Sequence, residues 1–87
     1  MRLVRTVPQL GAAIRAERRE RGWSQAELAD RAGVGRLWIS QVERGKRSAE
    51  VGLLLKVLAE LRMAIQIVEL PANSSPALDA VETDELW

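Results

Sequence analysis

The chain has 87 residues, which is enough for one domain with a modest hydrophobic core and too little for a separate catalytic domain. It contains neither cysteine nor histidine, which excludes disulfides and thiolate metal sites and removes the commonest metal ligand and general base. The net charge of +1 conceals a division, because residues 1–62 hold all 13 basic side chains against seven acidic ones, whereas residues 63–87 hold five acidic side chains and no basic one.

The first predicted helix begins at a capping box. Thr6 and Gln9 have the required spacing, and Pro8 suits the first helical turn. Gly22 then ends the helix, so we expect it to run to about Arg21.

The second predicted helix has a stronger start signal. Ser24 and Glu27 have the spacing of another capping box. Trp23 and Leu28 occupy the two positions of a hydrophobic staple, which fixes the angle at which the chain enters the helix. The helix is therefore expected to begin at Gln25.

A short third helix follows a glycine turn. Gly33 can adopt positive φ and ends the second helix. The third helix spans about 36–44, and its apolar residues Ile39 and Val42 are expected to face inward.

The fourth predicted helix supplies much of the core. Ser48 can cap it, and five apolar residues recur at helical spacing. They are Val51, Leu54, Leu55, Leu58 and Leu61. Leu53 and Val57 widen this stripe to a second face, for which a twin subunit is the default partner.

The pattern changes after the fourth helix. Residues 63–70 are short, apolar and β-branched, which predicts a strand. The other candidate strand, 3–7, is weak, so we expect 63–70 to pair with the same strand of a second chain. Residues 71–87 are rich in small and acidic residues, and they predict a flexible tail that ends in Leu86 and Trp87.

The second and third helices have the spacing of a helix-turn-helix. Ala29 is small where the third helix must cross the second closely, and Gly33 supplies the left-handed turn. The apolar wedge between the two helices consists of Leu28, Val34, Ile39 and Val42. An ordinary helical hairpin with a glycine turn is the alternative, but it need not meet all these positions together.

These residues resemble the lambda-repressor-like, Cro and C1-type (XRE) helix-turn-helix regulators. The resemblance is carried by WSQAELA at 23–29, GV at 33–34 and ISQVERGK at 39–46, and it covers about 8–61. With the strand and the acidic tail, the chain is most similar to HipB-type antitoxins, which partner HipA-type kinase toxins and repress their own operon as dimers.

The resemblance implies a fold and a division of the chain. The fold is mainly α, a lambda-repressor-like bundle of four to five helices plus one C-terminal β-strand that pairs across a homodimer. The division is a helix-turn-helix DNA-binding domain at 1–62, a dimerising strand at 63–70 and a flexible acidic tail at 71–87.

The resemblance assigns the exposed positions of the third helix to base contacts. They hold Arg36, Leu37, Ser40 and Gln41, with Gly35 at the helix entrance. Arg36 can pair bidentately with guanine, Gln41 has the amide suited to adenine, and Leu37 can touch a thymine methyl group. A phosphate contact is the alternative role for Arg36. Gly35 and Leu37 depart from the polar residues common at these positions, which predicts fewer direct hydrogen bonds to bases.

A second group is expected to contact phosphate. Gln25 resembles the family's phosphate-binding glutamine and lies in the first turn of the second helix, where it is expected to point outward with the unpaired backbone amides. Arg44, Lys46 and Arg47 follow the third helix and should add phosphate contacts. The alternative for this basic run is a solvated loop.

Other conspicuous residues are assigned to structure. Arg18 and Glu43 match a family pair that ties the first helix to the third, so we expect a structural salt bridge and no role for Arg18 at the DNA. Trp38 is expected to pack against the fourth helix or its loop, and Trp23 to belong to the staple and the core.

Leu86 and Trp87 are expected to bind a partner protein. An aromatic residue after a solvated acidic segment either docks on its own subunit or anchors a partner, unless it is a stray aromatic of a disordered terminus. The acidic charges before Trp87 would suit a basic groove on the partner, or would compete with DNA for the basic face of this protein.

The favoured function is an antitoxin and autorepressor, with operator DNA, a twin subunit and a HipA-like kinase as partners. A stand-alone regulator and a protein-interaction module are the alternatives. An enzyme is least favoured, because the chain lacks histidine, cysteine and tyrosine and has no carboxylate pair in an apolar setting. No cofactor, metal or small-molecule ligand is predicted. The apolar runs are shorter than the roughly 18 residues of a membrane span and no signal peptide is evident, so we expect a cytoplasmic, nucleoid-associated protein.

Overall fold

Four α-helices make up the fold in the computed structural model, which describes residues 3–71. They are α1 (Val7–Glu20), α2 (Gln25–Ala32), α3 (Arg36–Glu43) and α4 (Val51–Glu60). The predicted mainly helical class is confirmed. The described residues contain four helices, the lower number of the four to five predicted. None of these helices has the length and hydropathy needed to cross a membrane.

The first two helices begin at their predicted caps. The Gln9 backbone N–H donates to Thr6 Oγ1 at 3.2 Å, and the Thr6 N–H donates to Gln9 Oε1 at 3.3 Å, so the first capping box is complete. At α2 the Glu27 N–H donates to Ser24 Oγ at 3.0 Å. The Glu27 carboxylate lies 3.7 Å from the Arg31 guanidinium and makes no bond back to the Ser24 N–H, so the second predicted capping box is only half formed.

The core lies where α2 packs against both α3 and α4 and where α1 packs against α3. Its largest fully buried side chains are Ile14, Leu28, Ile39, Val57 and Leu61. Trp23 and Trp38 are half-buried and pack against this core, as a structural role for both tryptophans predicts.

The predicted start of α4 is wrong. Ser48 does not cap the helix, because α4 begins at Val51 with Glu50 as its N-cap and has no side-chain cap bond. A capping side chain must directly precede the first helical residue to reach the amides of the first turn, and Ser48 lies two residues before the N-cap.

The predicted core face of α4 is also partly wrong. The buried residues are Leu54, Val57, Leu58 and Leu61, whose spacing follows a single helical face. Val51 and Leu55 were expected in the core, yet they are 61% and 46% exposed. A second apolar face of α4 is present, as predicted. It is formed by the exposed Val51 and Leu55, whereas Val57, which was predicted to widen it, belongs to the core.

Residues 63–71 leave α4 without forming a β-strand inside the described part of the chain. Arg62 adopts positive φ (61°), and the Met63 N–H donates to the Leu58 carbonyl at 2.8 Å, which closes the helix. A strand requires ladder hydrogen bonds to a neighbour, so pairing of 63–70 with a second chain stays a prediction. The weak candidate at 3–7 is not a strand, since its last residue already begins α1. The predicted tail from residue 72 onward, with Leu86 and Trp87, lies outside the described residues.

Candidate nucleic-acid interface

The turn between α2 and α3 has the geometry that the sequence predicts. Gly33 lies in the left-handed region (φ 73°, ψ 36°), and the Val34 N–H donates to the Ala29 carbonyl at 3.0 Å. Ala29 itself is 3% exposed beneath the crossing helix. Because only glycine adopts this conformation without strain, Gly33 sets the angle at which α3 leaves α2.

A close approach between α1 and α3 depends on a second glycine, which the sequence analysis missed. A Cβ atom on Gly11 would collide with the carbonyl oxygen of Val42 and lie 3.0 Å from that of Glu43. Gly11 therefore lets the backbone of α1 touch the C-terminal end of α3. Its position beside Leu10, on the apolar face of α1, is the only sequence signal for this role.

The predicted ion pair between α1 and α3 is present. Arg18 Nε lies 2.6 Å from Glu43 Oε2, and Arg18 Nη2 donates to Glu43 Oε1 at 3.0 Å. The two side chains are 9% and 2% exposed, and Arg18 Nη1 also donates to the Trp23 carbonyl at 2.8 Å. The pair thus joins α1, the start of α2 and α3 in one buried, charge-assisted network.

The electrostatics of this pair favour its charged form. Burial alone would raise the pKa of Glu43, but hydrogen bonds from Arg18 and Gln25 and the charges of Arg18 and Arg15 outweigh it, so the pKa lies below its ordinary value. The hydrogen bond to Glu43 raises the pKa of Arg18 against the opposing effect of burial. Both groups are therefore ionised at neutral pH.

Gln25 is less outward-facing than predicted. Its side chain is half-buried, and Nε2 donates to Glu43 Oε1 at 3.0 Å. An amide nitrogen carries two hydrogens, so the second N–H remains available to an acceptor outside the helix. The buried carboxylate of α3 thus orients the side chain that the sequence assigns to a phosphate.

The predicted base-reading residues share the outward face of α3. Leu37 is 65% exposed, and Ser40 and Gln41 follow it three and four positions later, both half-buried. Arg36 is exposed in the first turn. Gly35, also exposed, is the N-cap and makes no side-chain cap bond, so the amides of the first turn are left open.

The predicted phosphate-binding cations border this face. Arg44, Lys46 and Arg47 are exposed where the chain leaves α3. Lys46 Nζ donates to Gln41 Oε1 at 3.3 Å, so the two predicted groups are in contact. A bidentate contact of Gln41 with adenine uses that same oxygen as its acceptor, and the second lone pair of the oxygen lets Lys46 keep its hydrogen bond.

Two further arginines have structural contacts that the sequence analysis missed. The Arg31 guanidinium carbon lies 4.1 Å from the centroid of the Trp23 ring, and that of Arg21 lies 5.8 Å from it. Arg21 Nη2 also donates to the Leu61 carbonyl at 2.7 Å, at the C-terminal end of α4. These cations stabilise the corner between α1, α2 and α4 and do not belong to the outward face of α3.

Comparison with known proteins identifies related chains. The model of the Helix-turn-helix family (HTH_3) matches residues 14–68. The chain is 40% identical over 65 residues to the uncharacterised HTH-type transcriptional regulator y4mF of Sinorhizobium fredii. This alignment covers 75% of this chain and 86% of that protein. It is 30% identical over 78 residues to antitoxin HipB of Escherichia coli, covering 90% and 80% of the two chains.

A solved structure with the same fold contains HipB. A HipB variant in complex with an O2 20mer superposes with a TM-score of 0.75 at 25% identity, covering 82% of this chain and 99% of that chain. The family model, for its part, begins within α1 and extends past the end of α4 to residue 68.

Proposed function

This chain belongs to the Helix-turn-helix (HTH_3) family of regulators, and from that premise we propose that it is a sequence-specific transcriptional repressor that binds its operator as a homodimer. The observation that carries the proposal is the outward face of α3. Its exposed residues project from a helix that the Arg18–Glu43 pair and the Gly11 contact hold in one orientation. Rigid placement suits a helix that must present side chains to base edges.

The proposed base contacts come from α3. An α-helix fits the major groove of B-DNA, where Arg36 pairs with guanine and Gln41 with adenine. Leu37, at 65% exposure, meets the methyl group of thymine. Ser40 also meets a base edge, and Gly35 lies at the entrance of the helix. Leu37 and Gly35 donate no side-chain hydrogen bond, so specificity rests on few direct contacts and on the shape of the DNA.

The proposed phosphate contacts lie on both sides of the base contacts. The second amide hydrogen of Gln25 meets one phosphate at the start of α2, where Glu43 holds the side chain. Arg44, Lys46 and Arg47 meet the backbone on the other side of the groove. With three such cations in each subunit of a dimer, the logarithm of affinity should fall against the logarithm of salt concentration with a slope of about −5.

The proposed dimer forms through residues 63–70 after the helical domain 1–62. Ile65, Ile67 and Val68 are 54%, 95% and 44% exposed. A monomer seldom presents a run of apolar side chains to water, and a second copy of the same segment supplies both the ladder bonds and the burial. Sedimentation tests this: a chain truncated after Arg62 should be monomeric at concentrations where one truncated after Pro71 is dimeric. Equal dimerisation of both would place the interface elsewhere.

We further propose that the repressor is an antitoxin. The relative named antitoxin HipB supports this at 30% identity, as does the acidic tail at 71–87 with Leu86 and Trp87, which would bind a HipA-type kinase. Such a protein acts in the cytoplasm, at the nucleoid. The stand-alone regulator remains the second candidate, because the relative named y4mF is an HTH-type transcriptional regulator.

Two experiments test these proposals. A labelled duplex from the region upstream of the gene for this chain should be bound at nanomolar concentration, with the salt slope given above. If the chain binds the upstream duplex no more tightly than an unrelated duplex, the proposal that it is a sequence-specific repressor is wrong. Affinity purification from the native cell should recover a kinase encoded beside this chain. Recovery of the dimer alone, with no kinase gene adjacent, would favour the stand-alone regulator.

A further inference from the structure

An apolar groove opens beside the proposed phosphate-binding cations. It lies between α1, the α3–α4 connection and α4, and its volume is about 220 Å³. Its apolar lining consists of Val7, Leu10, Val42, Ala49, Val51 and Leu54. Val51, 61% exposed, forms one wall, and the buried side chains of Val42 and Leu54 lie deeper. A large apolar side chain that entered this groove would be removed from water over much of its surface.

The rim of this groove is basic. Lys46 and Arg47 line it together with the apolar residues. The groove therefore suits an occupant that combines an apolar anchor with negative charge. Any such occupant would bring its charge to the cations that we assign to DNA phosphate.

The chain itself carries a segment with this chemistry, outside the described residues. The sequence ETDELW at 82–87 places Glu82, Asp84 and Glu85 directly before Leu86 and Trp87. No basic residue lies in the chain from residue 63 onward, so nothing within the tail neutralises these charges.

The connecting chain is long enough. Sixteen residues follow Pro71 up to Trp87. Sixteen residues reach at most about 53 Å, whereas the longest dimension of the described part of the chain is 40 Å. Tethering at this length corresponds to millimolar effective concentration, so even a weak intrinsic affinity would fill the site.

We propose that Trp87 docks in this groove of its own subunit, with Asp84 and Glu85 against Lys46 and Arg47. A cavity of about 150 Å³ accepts benzene, so a groove of this volume has room for the larger indole ring. The docked tail and operator DNA then compete for the same two cations. This consequence, though not the docking itself, rests on the proposed DNA-binding function.

The competition gives the tail a regulatory role. With the tail docked, the affinity for DNA is reduced. A protein partner that takes hold of Trp87 withdraws the acidic segment from the groove and thereby strengthens binding to the operator, so the two ligands favour each other thermodynamically.

Methyl NMR of the full chain tests the docking without DNA. The ring current of an indole shifts nearby methyl resonances, so Trp87→Ala should move those of Leu10 and Val51. The core methyls of Leu28 should stay in place. Leu78→Ala, in the same tail, is the matched control and should move none of them. Unmoved methyls at Leu10 and Val51 would overturn the proposal, as would movement confined to residues 65–68, which would place Trp87 on the strand segment.

A mixed sample distinguishes the tail of a second copy. Methyl-labelled Trp87→Ala protein is exchanged with unlabelled wild-type protein. If the groove resonances of the labelled chain return to their wild-type positions, the tail of the twin subunit fills the groove and the assignment to the same subunit is wrong. Resonances that stay at the variant positions support it.

Binding to a duplex of unrelated sequence tests the competition. The variant Glu82→Gln/Asp84→Asn/Glu85→Gln should bind it about fivefold more tightly, the effect expected from the loss of two exposed ion pairs. If the methyl shifts report docking and this variant binds no more tightly, the groove site stands and the assignment of Lys46 and Arg47 to phosphate is overturned. If the methyls do not move, the docking fails and the proposed repressor function is unaffected.

Discussion

Removing one partner of the buried pair should destabilise the fold severely. In Arg18→Met, the Glu43 carboxylate keeps only its hydrogen bond from Gln25, and its side chain is 2% exposed. An uncompensated buried charge of this kind costs about 3–5 kcal/mol. A domain of this length has a total stability of about 4–13 kcal/mol, so the loss removes a large share of it. Glu43→Leu, which leaves the guanidinium unpaired, should cost a similar amount.

The double variant separates the pair from its surroundings. Arg18→Met/Glu43→Leu leaves no buried charge and retains apolar volume, so most of the lost stability should return. Because each single variant should cost about 3–5 kcal/mol and the double variant less than either, the coupling energy between the two positions should exceed about 3 kcal/mol. The exposed pair of Glu27 with Arg31, at 3.7 Å and 46% exposure for both side chains, supplies the control. Glu27→Gln should change stability by less than about 0.5 kcal/mol.

Urea denaturation followed by circular dichroism at 222 nm measures these differences. All variants are compared at one protein concentration, because dimerisation makes apparent stability depend on concentration. Additive single effects, with a coupling energy below about 0.5 kcal/mol, would refute the reasoning that the two charges hold α1 and α3 together.

Three further predictions concern α1, α3 and α4. Gly11→Ala should destabilise by about 1–3 kcal/mol or more, because its Cβ collides with the Val42 carbonyl, whereas Gly52→Ala, which meets nothing within 4 Å, should stabilise by about 0.5–1 kcal/mol. Thermal melts that place the two variants in the opposite order would contradict this. Since the pKa of Glu43 is depressed on folding, its contribution is complete above about pH 4.3 and is lost as pH falls through the folded value. Acid titration of Arg18→Met/Glu43→Leu should therefore show a shallower loss of stability below pH 4, and an unchanged profile would count against the pair. Arg62→Gly should stabilise by about 1 kcal/mol because the residue lies at positive φ, and calorimetry showing destabilisation would contradict it.

Local sequence signals correctly predicted the starts of α1 and α2 and the turn after α2, but not the start of α4. The caps at Thr6 and Ser24 and the turn at Gly33 depend on residues within four positions of one another. Such contacts form whenever the local backbone adopts the helix start, whatever the rest of the chain does. The helix-turn-helix wedge was predictable for the same reason, since its spacing spans only α2, the turn and α3.

Contacts between distant parts of the chain were not predictable in this way. Arg21 donates to the carbonyl of Leu61, 40 positions later, and nothing in the spacing of the two residues indicates it. The Gly11 approach likewise depends on where α3 ends. Periodicity showed that α4 has two apolar faces, but it could not show which one meets the core, and Val51 and Leu55 were therefore placed on the wrong side.

The outward face of α3 was predictable in position but not in its contacts. Gln25 and Gln41 were each expected to point to DNA. The structure adds that Glu43 holds the first and Lys46 contacts the second. The hydrogen-bond partner of a side-chain amide depends on which groups the packed helices bring near it. The sequence therefore indicated the surface, whereas the fold determined the hydrogen bonds within it.

The most direct test of the central proposal compares operator and unrelated DNA. Fluorescence anisotropy gives the affinity of Arg36→Ala/Gln41→Ala for a duplex from upstream of its own gene and for an unrelated duplex. Lys56→Ala, an exposed cation on α4, is the matched control. The base-reading assignment predicts a loss of at least about 100-fold on the operator and little change on unrelated DNA, with the control unaffected. Unchanged operator affinity in the double variant would contradict the proposal that this face of α3 reads the sequence.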